Sequence, residues 1–171
     1  SWLSFGTSTL SGTPSAEDVG LTGTITITVS NGVSPNASQS FQITVSSAPT
    51  ITSAAPIAAI AGSAYSYAVV ATGSPTPTVS VSGQPSWLSL NSGTLAGTPS
   101  VDDVGTTGTI TVTAANGVSP DATQTFQITV SSAPAITSTA PTTAIAGSAY
   151  SYVVVATGSP TPTVSVSGQP S

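Results

Sequence analysis

The 171-residue chain contains no lysine, arginine, histidine, cysteine or methionine. Without lysine and arginine it cannot neutralise phosphates, which argues against nucleic-acid binding. The same lack removes polybasic attachment to anionic membranes. It also removes trypsin-type cleavage sites and any lysine-dependent isopeptide crosslink. Without cysteine there is neither a disulfide framework nor a thiolate metal site. Without histidine, cysteine or lysine the ordinary base-activated nucleophiles and cationic transition-state clamps are missing, so the chain reads as a non-enzyme. Acids are few: Glu17, Asp18, Asp102, Asp103 and Asp121 give a formal charge of −5. No apolar run reaches the roughly 18 residues of a membrane span, so no membrane insertion is expected in this segment. No basic-then-apolar leader opens it, and export would depend on a signal outside these residues.

What is present is repetition. Trp2 and Trp87, Asp18 and Asp103, Asn31 and Asn116, Phe41 and Phe126, and Tyr65 and Tyr150 all stand 85 residues apart. Residues 1–86 and 86–171 differ at 19 of 86 paired positions, without a gap. Ser1, Ser86 and Ser171 are therefore one position in three successive copies, and the chain is expected to be two periods of a longer array.

Within a period the pattern is β. "TGTITVTA" sets Ile110, Val112 and Ala114 against Thr109, Thr111 and Thr113, and "TFQITV" sets Phe126, Ile128 and Val130 against Gln127 and Thr129. Period-two segments rich in β-branched residues, separated by Gly, Pro and Asn turns, predict half-buried strands. Frequent proline and glycine leave no helical stripe, so helix content should be very small. Six or seven short strands in about 85 residues predict a β-sandwich. Its expected core is Trp87, Tyr65, Val79, Leu88, Ile110, Val112, Phe126 and Ile128.

Domain edges are expected in "VSSAPTITSAAP" (45–56) and its copy "VSSAPAITSTAP" (130–141), where two prolines should end the preceding strand and stiffen a linker. On that reading 49–132 is a complete repeat. Residues 1–48 are then the C-terminal half of a preceding repeat, and 133–171 the N-terminal half of a following one.

Four motifs carry a resemblance that covers essentially the whole chain. They are Trp87-Leu88 before a turn, Thr94-Leu95-Ala96-Gly97-Thr98-Pro99, Asp103-Val104-Gly105, and the strand Phe126–Val130. In these the sequence resembles the immunoglobulin-like repeats of large secreted bacterial and archaeal proteins, and the related dystroglycan-type, cadherin-like repeats. The resemblance implies an all-β fold of tandem immunoglobulin-like (cadherin-like) β-sandwich repeats of 85 residues. It also implies an extracellular or cell-surface role as spacer, stalk or surface-layer module.

Cadherin-like relatives often carry a calcium-binding Asp after the strand that reads "TITVTAAN" here. This chain has Asn31 and Asn116, each followed by Gly, a strong turn dipeptide. Calcium takes six to eight oxygens, several from carboxylates. Asp102 and Asp103, and Asp18 with Glu17, are the only candidate ligands, and turn capping is the expected role of Asp18 and Asp103. No cofactor is therefore assigned, calcium being the single one in question. The aromatics fall on core-facing or strand positions, which weighs against a carbohydrate platform. The outward threonine rows, such as Thr107, Thr109, Thr111 and Thr113, are ordinary strand surface.

Two function classes follow. One is a structural protein that forms or extends a filament, stalk or sheath, with identical copies of itself or continuation of the same array as its partner. The other is an adhesin-type binding module recognising glycan or calcium. Differences between the copies scatter over loops and surfaces, and the near-neutral surface offers little repulsion between neighbours. Both favour the structural class.

Overall fold

The computed structural model describes residues 1–169; Ser171, the last of the three phase marks, lies outside them. The chain is almost entirely β, and among the described residues its helices are two single 3-10 turns, Ala16–Asp18 and Val101–Asp103. It gathers into two compact units. The first comprises Ser1–Thr52, Val70–Ser80 and Thr113–Gln124; the second comprises Ser53–Val69, Val81–Val112 and the chain from Thr125 onward.

The second unit holds the main core. One sheet runs in the order Leu88–Asn91, Thr94–Gly97, Tyr65–Ala68, all antiparallel. Tyr65–Ala68 alternates buried and exposed, and Ile110–Ala115 alternates fully buried with half-buried residues, as the period-two pattern predicts. Strand Thr129–Ile136 pairs in parallel with Ala58–Ile60 and antiparallel with Gly105–Thr106. Leu95, Ile110, Val112, Ile128 and Val130 are fully buried, with Pro99 beside them and Tyr65, Tyr67 and Leu88 nearly so.

Two aromatic edge-to-face pairs extend this core: Tyr65 with Trp87 at 5.9 Å and 82°, and Tyr67 with Phe126 at 6.0 Å and 89°. Trp87, Phe126 and Val79, expected at the centre, are half-buried instead. The two rings lie against the tyrosines by an edge and keep partial contact with solvent. Leu95 takes the central position. Its strand is four residues long, too short for a periodic signal to mark it.

Gly97 shows how close the packing is. A Cβ there would collide with the Trp87 carbonyl oxygen, and Gly12 meets Trp2 in the same way. The Gly in Thr-Leu-x-Gly-Thr-Pro is thus required by the neighbouring strand of its own hairpin.

In the first unit, Leu3–Gly6 pairs with Thr9–Gly12, Ile25–Val29 with Ala37–Phe41, and Gly20–Leu21 with Thr44–Val45. The unit also contains Ser47–Ile51 paired with Ala71–Ser74. Strands Thr78–Ser82, Ile110–Ala115 and Ala122–Phe126 form one sheet in that order. Strands are more numerous and shorter than the six or seven expected per repeat, because brief breaks such as 69–70 and 127–128 divide longer extended segments.

Candidate functional site

The segments expected to be linkers are strands. Thr129–Ile136 is continuous: its first residues pair with Ala58–Ile60 and Gly105–Thr106 of one repeat. Its last residues pair with Ala156–Ser159 of the next. The earlier copy does the same with one residue between its parts, Thr44–Val45 on Gly20–Leu21 and Ser47–Ile51 on Ala71–Ser74. In both copies one stretch of chain thus pairs first with strands that precede it and then with a strand that follows it.

Proline does not end these strands because the partner strand yields. Opposite Pro49 the ladder shifts register at Gly73, whose φ is +154°, and opposite Pro134 it shifts at Gly158, φ +152°. A Cβ at Gly73 would lie 3.1 Å from Pro49 Cα, and at Gly158 3.0 Å from Pro134 Cα. Only glycine gives both the positive φ and the room for the proline. Proline at a bulge leaves no ladder donor unpaired.

Asn116 fastens the first of these junctions. Its side-chain Nδ2 donates to the Ser47 carbonyl (2.9 Å) and the Pro75 carbonyl (2.8 Å), while its Oδ1 accepts from the Val118 N–H (3.1 Å). The last bond is the Asx turn that the Asn-Gly dipeptide predicts. The first two reach 69 and 41 residues along the chain and were not legible in the sequence. An amide donates to carbonyls; a carboxylate cannot. At this position the chain ties the incoming strand with hydrogen bonds. Asn31, the same position one repeat earlier, makes the Asx bond to Val33 at 3.1 Å.

The acidic candidates sit elsewhere. Asp103 Oδ2 accepts from the Ser100 N–H (2.8 Å) and hydroxyl (2.7 Å), closing the 3-10 turn, and Asp18 does the same with Ser15 at the same distances. The serine hydroxyls, and secondarily the serine N–H groups, hold both carboxyls below the usual carboxylate range. Asp102 contributes its backbone N–H to Ser100 Oγ at 3.2 Å. Asp102 and Asp103 share one turn, and Asp18 occupies the corresponding turn of the other copy. Among the described residues no three His, Cys, Asp or Glu side chains cluster as a metal site would require. Likewise, no helix among them is long and apolar enough to cross a membrane.

With this geometry, comparison with known proteins identifies the fold. Residues 48–131 match the family described as "Putative Ig domain". Among solved structures, the Sidekick-1 immunoglobulin domains 1–5 align over 75% of this chain at 19% identity and TM-score 0.55. Drosophila OTK extracellular domains 3–5 align over 75% at 19% and 0.55, and the titin I-band fragment I67–I69 over 75% at 21% and 0.51. The chain spans 29%, 46% and 48% of those three fragments. At such identities the likeness is one of fold, which is an immunoglobulin-like β-sandwich. No curated protein matches the chain.

Proposed function

We propose that the chain is part of an extracellular structural array in which immunoglobulin-like repeats follow one another head to tail to form or extend a filament, stalk or sheath. The repeats are 1–48, 49–132 and 133–171, the outer two being partial, and each boundary falls inside a strand. The carrying observation is Thr129–Ile136, one uninterrupted strand hydrogen-bonded to the sheets of two repeats. A junction of this kind has no slack. Tension on the chain must break ladder bonds before the repeats separate, whereas a flexible linker would extend first.

The surface supports the same reading. It carries no lysine and five acids, so neighbouring copies meet with little electrostatic repulsion and few charged edge residues. Partners are identical copies or continuation of the array. The location is the cell surface or the secreted phase, and catalysis is not part of the role.

Single-molecule extension of a multi-repeat chain tests this. The expected record is a series of equal unfolding events, each releasing roughly 290 Å of contour at about 3.4 Å per residue. Extension at negligible force would overturn the structural reading, and so would specific glycan binding with mechanically weak repeats. The second result would favour the adhesin.

A further inference from the structure

The dipeptide Asn116-Gly117 has a chemistry of its own. In an open chain the glycine nitrogen loses its proton to hydroxide and attacks the asparagine Cγ, unhindered by any side chain on the glycine. A Cγ–N bond forms, the Cγ–Nδ2 bond breaks, and Nδ2 leaves as ammonia after taking a proton from water. Water then opens the cyclic imide at either carbonyl, giving aspartate or, with the main chain running through the side chain, isoaspartate. One water is consumed and one ammonia released, and nothing is oxidised or reduced.

The fold restrains this reaction at the amide and not at the glycine. Gly117 is exposed with φ +81°, and a Cβ built on it would meet nothing within 4 Å. Asn116 is half-buried, and its amide is held at both ends. Oδ1 accepts from the Val118 N–H at 3.1 Å, one residue beyond the nitrogen that must attack. Nδ2 donates to the Ser47 and Pro75 carbonyls at 2.9 and 2.8 Å. Turning Cγ onto the Gly117 nitrogen would rotate both amide atoms away from these partners. The leaving nitrogen also needs a proton, and a carbonyl has none to give. Gly73 closes a further side: a Cβ there would stand 2.9 Å from Nδ2 and 3.1 Å from Pro49 Cα. Ser47 belongs to strand Ser47–Ile51 and Gly73 to its partner Ala71–Ser74, so the full set of restraints exists only while that ladder is closed.

We propose that Asn116 is a deamidation site gated by this junction. While Ser47–Ile51 is seated, the amide persists. Once that strand is released, Asn116 converts, and the junction cannot be tied again in the same way. A carboxylate accepts hydrogen bonds and donates none, so it would face the Ser47 and Pro75 carbonyls without a bond to either. The isoaspartate form would also lengthen the main chain by one methylene directly after strand Ile110–Ala115. An opening that outlasts the reaction thus leaves a permanent covalent mark on the repeat. The inference needs only the bonds around one side chain, so it stands apart from the array reading.

The test holds the full chain in mildly alkaline buffer, with and without enough urea to unfold it, and follows the peptides carrying 31–32 and 116–117 by mass. In urea both should convert at the same rate, because Asn-Gly-Val-Ser-Pro is common to them. In buffer, Asn116 should convert at least about tenfold more slowly than in urea, as expected where a reaction waits on local opening. Gly73→Ala sets a methyl against Nδ2 and Pro49, and should speed the conversion of Asn116 in buffer severalfold. Gly117→Ala, read in urea where folding is not required, should suppress conversion at 116 and leave 31 unchanged. On an Asn31→Ala background, chains converted at 116 and returned to buffer should melt at a lower temperature than unconverted ones.

Equal rates at 116 with and without urea, or no conversion in either, would overturn the proposal. So would a folded Gly73→Ala chain that converts no faster than the unmodified one, or converted chains that regain the original melting temperature. Should Gly73→Ala not fold, the rates of the unmodified chain with and without urea decide.

Discussion

Tyr65 and Tyr150 are the same residue of successive repeats, yet Tyr65 is 5% exposed and Tyr150 53%. Their hydroxyl bonds are nevertheless alike: Tyr65 donates to the Pro56 carbonyl and Tyr150 to the Pro141 carbonyl, both at 2.8 Å. Tyr67 and Tyr152 also repeat each other, sharing a bond with Ser53 Oγ at 2.7 Å and Ser138 Oγ at 2.8 Å. Contacts spanning 9 or 14 residues persist in both copies. The pairing of Ser47–Ile51 with Ala71–Ser74 also recurs, but the tyrosine's burial and the pairings with strands 26 to 71 residues further on persist only where the later part of the repeat follows. The comparison separates what a segment carries within itself from what it receives from the rest of the sandwich.

The largest expected break in this comparison is Leu95→Ala against Leu10→Ala. Leu95 is fully buried and its loss should destabilise repeat 49–132 by about 3 kcal/mol, whereas the equivalent change at half-buried Leu10 should have a much smaller effect. Denaturant unfolding of both variants checks the difference. Gly97→Ala should come next, at about 2 kcal/mol, because the new methyl meets the Trp87 carbonyl and the hairpin must shift.

Asn116 tests the junction. Asn116→Ala removes two long-range bonds and the Asx bond, and should cost about 1–2 kcal/mol of thermal or denaturant stability. Asn116→Asp should cost more, since a carboxylate would face two carbonyl oxygens. If millimolar calcium restored that variant, the position would retain the geometry of a cation site. Asn31→Ala, which removes an exposed Asx turn, should be nearly silent.

The smallest effects are those of pH. The carboxyls of Asp18 and Asp103 titrate lower in the folded chain than in the unfolded one, so their contribution is present above pH about 4 and is lost as pH falls through the folded value. Ser100→Ala removes the hydroxyl and keeps the N–H, so it should reduce that acid-side loss for the complete repeat, as followed by melting temperature between pH 5 and 2. At the alkaline end, burial, with a smaller contribution from Tyr67, pushes the Tyr65 phenol up to about 12. The unfolded chain ionises first, so stability should decline between pH about 10 and about 12. Tyr65→Phe should flatten that decline.

Much of this was legible in the residues. The alternation of Ile110, Val112 and Ala114 predicted a buried face and all three are fully buried. Asp18 and Asp103, ahead of Val-Gly, were expected to cap turns, and both close one. The Asn-Gly dipeptides predicted the local half of what Asn116 does. The junction was not legible. Proline at 49 and 134 predicted broken strands, and the compensation lies in Gly73 and Gly158, 24 residues further along the chain. Trp87 carried the expectation of a core centre, yet Leu95 holds it, since ring size says nothing about which neighbour a ring turns its edge toward.

By itself the sequence determined the 85-residue period, the β class and the turn chemistry. These are properties of composition and of neighbours within a few residues. Only the tertiary structure decided that Thr129–Ile136 pairs on both sides of the expected boundary, that Asn116 ties the earlier copy of that stretch, and that Tyr65–Ala68 and Thr78–Ser82 are strands where 150–153 and 163–167 are not. A strand completes its hydrogen bonds on another strand. Its state is therefore a property of the pair, which no single segment contains.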